Sequence, residues 1–365
     1  MLSVNTPEML GTGQYTKEHV GLLSSVYLFV YAAGQLVNGI IGDMINPRKM
    51  VTGGLLISGI VMILFPFVGS VPLQFVIFGL MGFALSMLRG PLVKTISENT
   101  TTEHARNICV FFSVSSFVGP LVASMIAAIF NWRLTFLVAG GVTVLIGIGA
   151  YIMLLALEKQ GLVKFSGDKV KGFSGVKKVF GLEKFKFYMF VGMLVEISAA
   201  SISFWIPTYL TERLSFSEQS AGFIFSAMSF LRAMMPFVGL MLYRKTGKKD
   251  VLMIRYAFLS GTLFFVVMLF ISNPVLNIIT MLVALMSVSV ASCMLWSIYI
   301  PGLGKCGVVS SVNGILDCAG YIAAALANMV FALIMDKIDW NGIIIIWAGL
   351  LLAGVVSTFF CKKNK

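Results

Sequence analysis

The sequence predicts an all-α integral membrane protein of eleven spans in two bundles, and three observations carry that prediction. The chain is 58% hydrophobic and only 12% charged, with a mean hydropathy of +0.94, whereas a soluble domain carries about 25% charged residues. Apolar runs of around 20 residues recur along it, enough to cross ~30 Å of hydrocarbon at ~1.5 Å per residue. Runs of that length exclude a barrel, whose strands would be ~10 residues of alternating character. The third observation is that basic residues concentrate between the runs. The net charge of +12 is therefore a topology signal, and no nucleic-acid partner is expected. Five cysteines (Cys109, Cys293, Cys306, Cys318, Cys361) show no paired spacing and most lie inside apolar runs, so neither a disulfide framework nor a zinc site is implied.

Residues 1–19 are polar, with Pro7, Glu8, Lys17, Glu18 and His19, and no basic leader precedes a short apolar core. Spans are then expected at 20–42, 50–69, 72–97, 107–129 and 133–157, forming an N-terminal bundle over 1–157. Spans at 188–210, 219–243, 251–271, 274–300, 308–334 and 341–361 form a C-terminal bundle over 188–365. Turn residues mark the connections, for example Gly69-Ser70-Val71-Pro72 and Ser272-Asn273-Pro274. Residues 158–187 hold eight lysines, several glycines and no long apolar run. That stretch reads as a basic cytoplasmic linker, with Val176–Leu182 lying against the bilayer.

A diverged repeat supports the division. Gly34–Lys49 is echoed about 200 residues later by Met234–Lys249, with Gly39 matching Gly239 and Arg48-Lys49 matching Lys248-Lys249. Trp132-Arg133 and Ala139-Gly140 are echoed by Trp340 and Ala348-Gly349. If 20–42 pairs with 219–243, the span without a mate is 188–210. The expectation is then that the first helix is missing and that residues 1–19 are the loop after it, a natural eleven-span form being the alternative. With residues 1–19 outside, inner segments hold 21 lysines and arginines and outer ones four, which places the linker and the C-terminus in the cytoplasm of a plasma (inner) membrane protein.

The loop after the first run reads Gly39-Ile40-Ile41-Gly42-Asp43-Met44-Ile45-Asn46-Pro47-Arg48-Lys49. It resembles the signature of the major facilitator superfamily of secondary transporters, Gly-x-x-x-Asp-(Arg)-x-Gly-x-(Arg/Lys)-(Arg/Lys). Met44 stands where the first basic residue is usual, and Asn46 replaces the central glycine. The Asn-Pro-Arg variant, preceded by Gly34-Gln35, is most similar to the organophosphate and organic-anion branches. The resemblance implies parallel halves that rock about a central site. It also implies a cytoplasmic gate built from Gly39, Asp43, Arg48 and Lys49, in which Asp43 locks against the start of span 308–334 near Lys305. A solvated turn aspartate is the plainer reading of Asp43.

Four charges lie inside spans. Counted from the cytoplasmic ends, Arg89 and Glu196 are ~12 Å deep, Asp317 ~14 Å and Arg232 ~17 Å. A lone charge there costs a few kcal/mol or more, so each needs a partner or a wet cavity. Arg89 is a candidate grip for a substrate carboxylate or phosphate, or else a structural ion pair. Glu196 is a candidate proton carrier or a paired structural carboxylate. Arg232 and Asp317 are expected to pair or to take part in coupling. Gly90-Pro91 resembles the kinked fourth span of organic-anion carriers. Gly119-Pro120 loosely matches an exchanger element, but Ser113–Val118 lacks the Trp-Asn and His-Asn pairs of the organophosphate signature. Tyr27, Tyr31, Trp205, Trp296 and Tyr299 could line a cavity, interfacial anchoring being the alternative.

The resulting expectation is a secondary transporter of a small organic anion, a monomer in the lipid bilayer, using protons or a counter-anion and no cofactor. Export of apolar or cationic compounds, and a sensor that binds without flux, stay open. No nucleotide-binding loop, nucleophile–base set or metal-ligand cluster is visible, which argues against ATP-driven transport and against an enzyme.

Overall fold

The computed structural model describes residues 2–164, 173–334 and 337–361, and every regular element among them is helical. The linker positions 165–172 and the basic residues Lys362, Lys363 and Lys365 lie outside the described residues. In chain order the helices are α1 (Leu2–Gly11), α2 (Lys17–Gly42), α3 (Pro47–Leu64), α4 (Val71–Leu85), α5 (Arg89–Asn99), α6 (Thr102–Ile129) and α7 (Trp132–Lys159). There follow α8 (Phe173–Phe180), α9 (Phe185–Glu212), α10 (Glu218–Lys245), α11 (Asp250–Met268), α12 (Pro274–Cys293), α13 (Ile300–Gly302), α14 (Val309–Ile334) and α15 (Trp340–Phe360). A π-helical turn, Met294–Tyr299, joins α12 to α13. Ten stretches among the described residues are long and apolar enough to cross a membrane, and α6 is a continuous helix of 28 residues over the expected span 107–129.

Helix starts follow side-chain chemistry. Thr16, Thr101, Asn131 and Asp339 each accept the backbone N–H of the third residue of α2, α6, α7 and α15, a cap worth ~1 kcal/mol. Asn273 does the same for α12, so the expected turn at 272–274 is also a helix start.

One expectation is corrected. Residues 2–11 form a helix, not a loop. Met9 is fully buried in a cluster with Leu23, Phe65, Phe78 and Trp132, and the Glu8 carboxylate accepts the Trp132 N–H at 2.8 Å at the positive end of α7. The expected span 72–97 is one membrane-crossing stretch, Val71–Asn99, whose helix is interrupted after Leu85 and resumes at Arg89, in line with the kink expected at Gly90-Pro91. Pro91 accounts for the break, because its ring has no N–H and collides with the carbonyl one turn earlier.

The chain gathers into two compact units. The first comprises Met1–Ala105, Val118–Val179 and Pro301–Cys318, the second Arg106–Phe117, Phe180–Ile300 and Ala319–Lys365. In the first, α3 and α7 approach closely through Gly59 and Gly140: a methyl on either would meet the other's carbonyl oxygen at 2.8 or 2.7 Å. Without a hydrophobic drive between helices in lipid, such small-residue seams supply the packing contacts. In the second unit, α11 packs against α15 in the same way, with Phe258 filling the space over Gly354 and Phe265 and Trp347 buried beside each other.

Candidate functional site

The first unit brings the loop after α2 against the beginning of α14. Asp43 is 6% exposed. Its carboxylate accepts the backbone N–H of Ser310 at 3.0 Å and of Ser311 at 2.8 Å. Those amides belong to the first turn of α14, where intrahelical partners are missing and the helix field is positive. The Lys94 ammonium lies 3.9 Å from the same carboxylate and donates to the carbonyls of Gly42 at 3.3 Å and Asp43 at 3.0 Å, closing the end of α2. Burial pushes the Asp43 carboxyl above its ordinary range, opposed by the bonds from Ser311 and Ser310 and by the Lys94 charge.

Glycines make this approach possible. A methyl on Gly39 would stand 2.7 Å from Gly314 Cα and 2.9 Å from the Ser310 carbonyl oxygen. One on Gly314 would overlap the Gln35 carbonyl, and one on Gly42 would overlap the Ser310 hydroxyl. Beside the seam, Asn38 donates to Ser86 Oγ at 2.7 Å and to the Phe83 carbonyl at 3.2 Å, tying α2 to the break after α4.

The basic pair that opens α3 divides. Arg48 forms an ion pair with Glu158 near the end of α7 and lies over the Tyr151 ring at 5.2 Å. Asn46, besides capping α3, donates to the same carboxylate at 2.9 Å. Lys49 is exposed.

The intramembrane charges take other partners than those expected. Asp317 lies 3.4 Å from a guanidinium nitrogen of Arg89 and accepts from Asn313, one turn earlier on α14, at 2.7 Å. Asp317 is 4% exposed at its side chain and Arg89 37%. Arg232 donates to Ser203 Oγ at 2.6 Å and lines a cavity of about 130 Å³ with Glu196, Ser289 and Ser292. The expected Arg232–Asp317 pairing is thus replaced by Arg89–Asp317 in the first unit and Arg232 beside Glu196 in the second. Depth along each helix is readable from spacing, but azimuth, which selects the partner, is not. Glu196 rests on Gly320 of α14, where an added methyl would meet its Cγ at 2.7 Å.

Of the aromatic candidates, Tyr27 and Tyr31 stack at 6.0 Å on one face of α2 and are half-buried. Trp296 is 8% exposed within the π-helical turn, and Tyr299 stacks on Tyr188 at 3.9 Å and donates to the Glu183 carbonyl. Trp205 meets Phe204 edge-on. Lys94 and Glu158 were missed by reasoning from sequence, because both read as loop charges. A lysine inside the expected span 72–97 was the available signal.

A sequence profile described as Major Facilitator Superfamily matches residues 1–305. The chain is 23% identical over 358 residues to the glycerol-3-phosphate transporter of Bacillus subtilis, covering 90% of this chain and 80% of that protein. It is 23% identical over 389 residues to the probable sulfoacetate transporter SauU of Cupriavidus necator, covering 98% and 88%. A crystal structure of the E. coli fucose:proton symporter FucP superposes with a TM-score of 0.75 at 11% identity, covering all of this chain and 95% of that one.

Proposed function

The chain belongs to the Major Facilitator Superfamily, and on that footing we propose that it is a secondary active carrier of a small organic anion with a phosphate, sulfonate or carboxylate group. It works by alternating access, with proton symport or exchange for a counter-anion. The observation that carries the reading is Arg89. It lies at the break inside a membrane-crossing stretch, 37% exposed, and its nitrogen stands 3.4 Å from Asp317. Charge-assisted N–H···O bonds run about 2.7–2.9 Å, so an arriving anion can take the guanidinium with two shorter bonds. The names of the two relatives, a glycerol-3-phosphate transporter and a probable sulfoacetate transporter, favour the same substrate class.

In this reading Asp43, the first turn of α14 and Lys94 form the cytoplasmic gate, with Arg48 and Glu158 bracing the loop. Glu196 and Arg232 are the coupling pair. The halves are residues 1–157 and 188–365, joined by the linker 158–187. The lysine and arginine count of 21 against four puts residues 1–19 outside and the linker inside a plasma (inner) membrane, and the carrier acts as a monomer. Export of cations is disfavoured because each candidate carboxylate, Asp317 and Glu196, has an arginine beside it.

Counterflow in proteoliposomes with labelled glycerol 3-phosphate and sulfoacetate tests the proposal. Accumulation of either against unlabelled anion inside is the expected result. Binding without flux would make the chain a sensor, and flux driven only by organic cations would overturn the anion assignment.

A further inference from the structure

The first unit contains a cavity of about 790 Å³ at the opposite end of α5 from Arg89, and neither Arg89 nor Asp317 is in its lining. Its walls come from the end of α5, the start of α6, α8 and the turn Gly304–Gly307. Lys178 and Lys305 bring two ammonium groups to it, and Glu98 is the acidic side chain in the lining. Thr101, which caps α6, and its neighbours add hydroxyls and the positive end of a 28-residue helix. Ser97 is 7% exposed, and its Oγ makes no hydrogen bond among the described residues. A buried hydroxyl left this way costs ~1–3 kcal/mol unless something else satisfies it.

The walls are held in place. Lys178 donates to the Cys306 carbonyl at 2.6 Å, fastening α8 to the turn. Gly304 packs against the Ser97 carbonyl with no space for a side chain, and Gly307 takes a left-handed φ of 69° before α14 begins. The turn therefore runs straight from the cavity into Ser310 and Ser311, the amides that Asp43 holds. Ammonium groups, hydroxyls and a helix N-terminus together are the donor set that recognises phosphate oxygens.

We propose that this cavity binds a phosphate group, from a soluble metabolite or a lipid headgroup, and that its occupancy keeps the start of α14 against Asp43. A ligand that binds only while these walls are together shifts the population towards the closed contact. It would be a regulatory site, distinct from the one that carries substrate, and the binding itself does not depend on which solute is transported.

Cys306 lines the cavity and is partly exposed, so it reports occupancy. The test measures maleimide labelling of the Cys306 peptide by mass spectrometry on the full chain in detergent, titrated with pyrophosphate. Labelling should slow by the factor 1 + [L]/Kd, roughly tenfold at ten times Kd. Lys305→Gln, a change at an exposed side chain, should weaken protection, and Lys178→Gln/Lys305→Gln should abolish it. Arg89→Lys should leave it intact, which separates this cavity from the transport site. A second arm omits pyrophosphate and compares nanodiscs of phosphatidylcholine with nanodiscs containing phosphatidylglycerol. Lysine-dependent protection in that arm alone assigns the phosphate to a lipid headgroup. No protection in either arm, or equal protection in the double variant, overturns the proposal.

Discussion

Replacing Gly39 by alanine puts one methyl into the seam between α2 and α14. Its three nearest neighbours, Gly314 Cα at 2.7 Å, Ser310 O at 2.9 Å and Gly314 N at 3.2 Å, are all backbone, so no side-chain rotation relieves the overlap. Ordinary contact begins at 3.4 Å, which requires the helices to part by at least 0.7 Å. A parting of that size carries the Ser310–Asp43 bond from 3.0 Å to about 3.7 Å, beyond hydrogen-bonding range. Overpacking costs ~1–3 kcal/mol, about 2 kcal/mol at the middle of that range, and the helix propensity of alanine drops out because it acts alike on the closed and open states. The closed contact should therefore weaken by about 2 kcal/mol, roughly 30-fold in its opening equilibrium. Hydrogen exchange at the Ser310 and Ser311 amides reads this directly, because Asp43 is the acceptor that protects them. The Gly53→Ala variant is the control: a methyl there meets nothing within 4 Å, and exchange at those two amides should not change. A folded Gly39→Ala protein whose Ser310 and Ser311 amides exchange at the wild-type rate would refute the argument.

Arg89→Lys keeps the charge but loses the planar two-bond grip; uptake of organic anion should fall at least about tenfold, and wild-type uptake would leave Arg89 a structural ion pair with Asp317. Gly320→Ala meets the flexible Glu196 side chain at 2.7 Å and not backbone, so melting should shift little while uptake drops, and unchanged uptake would remove Glu196 from the coupling pair. Because burial raises the folded carboxyl of Asp43 above 3.8, the folded state holds that proton more tightly than the unfolded one. Wild-type stability relative to Asp43→Asn should therefore fall as pH rises from 3.8 through the raised value and level off above it; melting curves showing the opposite slope would contradict the burial argument. Cysteines at the exposed Lys177 and at Ser272 should react only from inside and only from outside respectively, in line with the lysine imbalance, and labelling of Lys177→Cys from outside would reverse the topology.

The all-helical membrane class, the positions of the spans and the family were legible in the sequence, because apolar run length, loop charge and the Gly39–Lys49 pattern are one-dimensional quantities. Gly90-Pro91 marks the kink in the sequence itself, and the helix breaks just before it. The α1 helix was hidden because residues 2–11 are short and carry Asn5, Pro7 and Glu8, and what holds them is tertiary: the burial of Met9 among Leu23 and Trp132 and the Glu8 bond to Trp132. Partner choice among the charges was equally hidden. Arg89, Arg232, Glu196 and Asp317 could be placed at a depth by counting ~1.5 Å per residue. Which carboxylate meets which arginine depends on the rotation and packing of each helix, set by glycine seams such as Gly39–Gly314 and by contacts such as Glu196 on Gly320. Lys94 and Glu158 read as loop charges in one dimension, yet they close on Asp43 and Arg48 because tertiary packing brings helix ends together that lie 51 and 110 residues apart. Sequence spacing determines how far along a helix a charge sits; only packing determines what it faces.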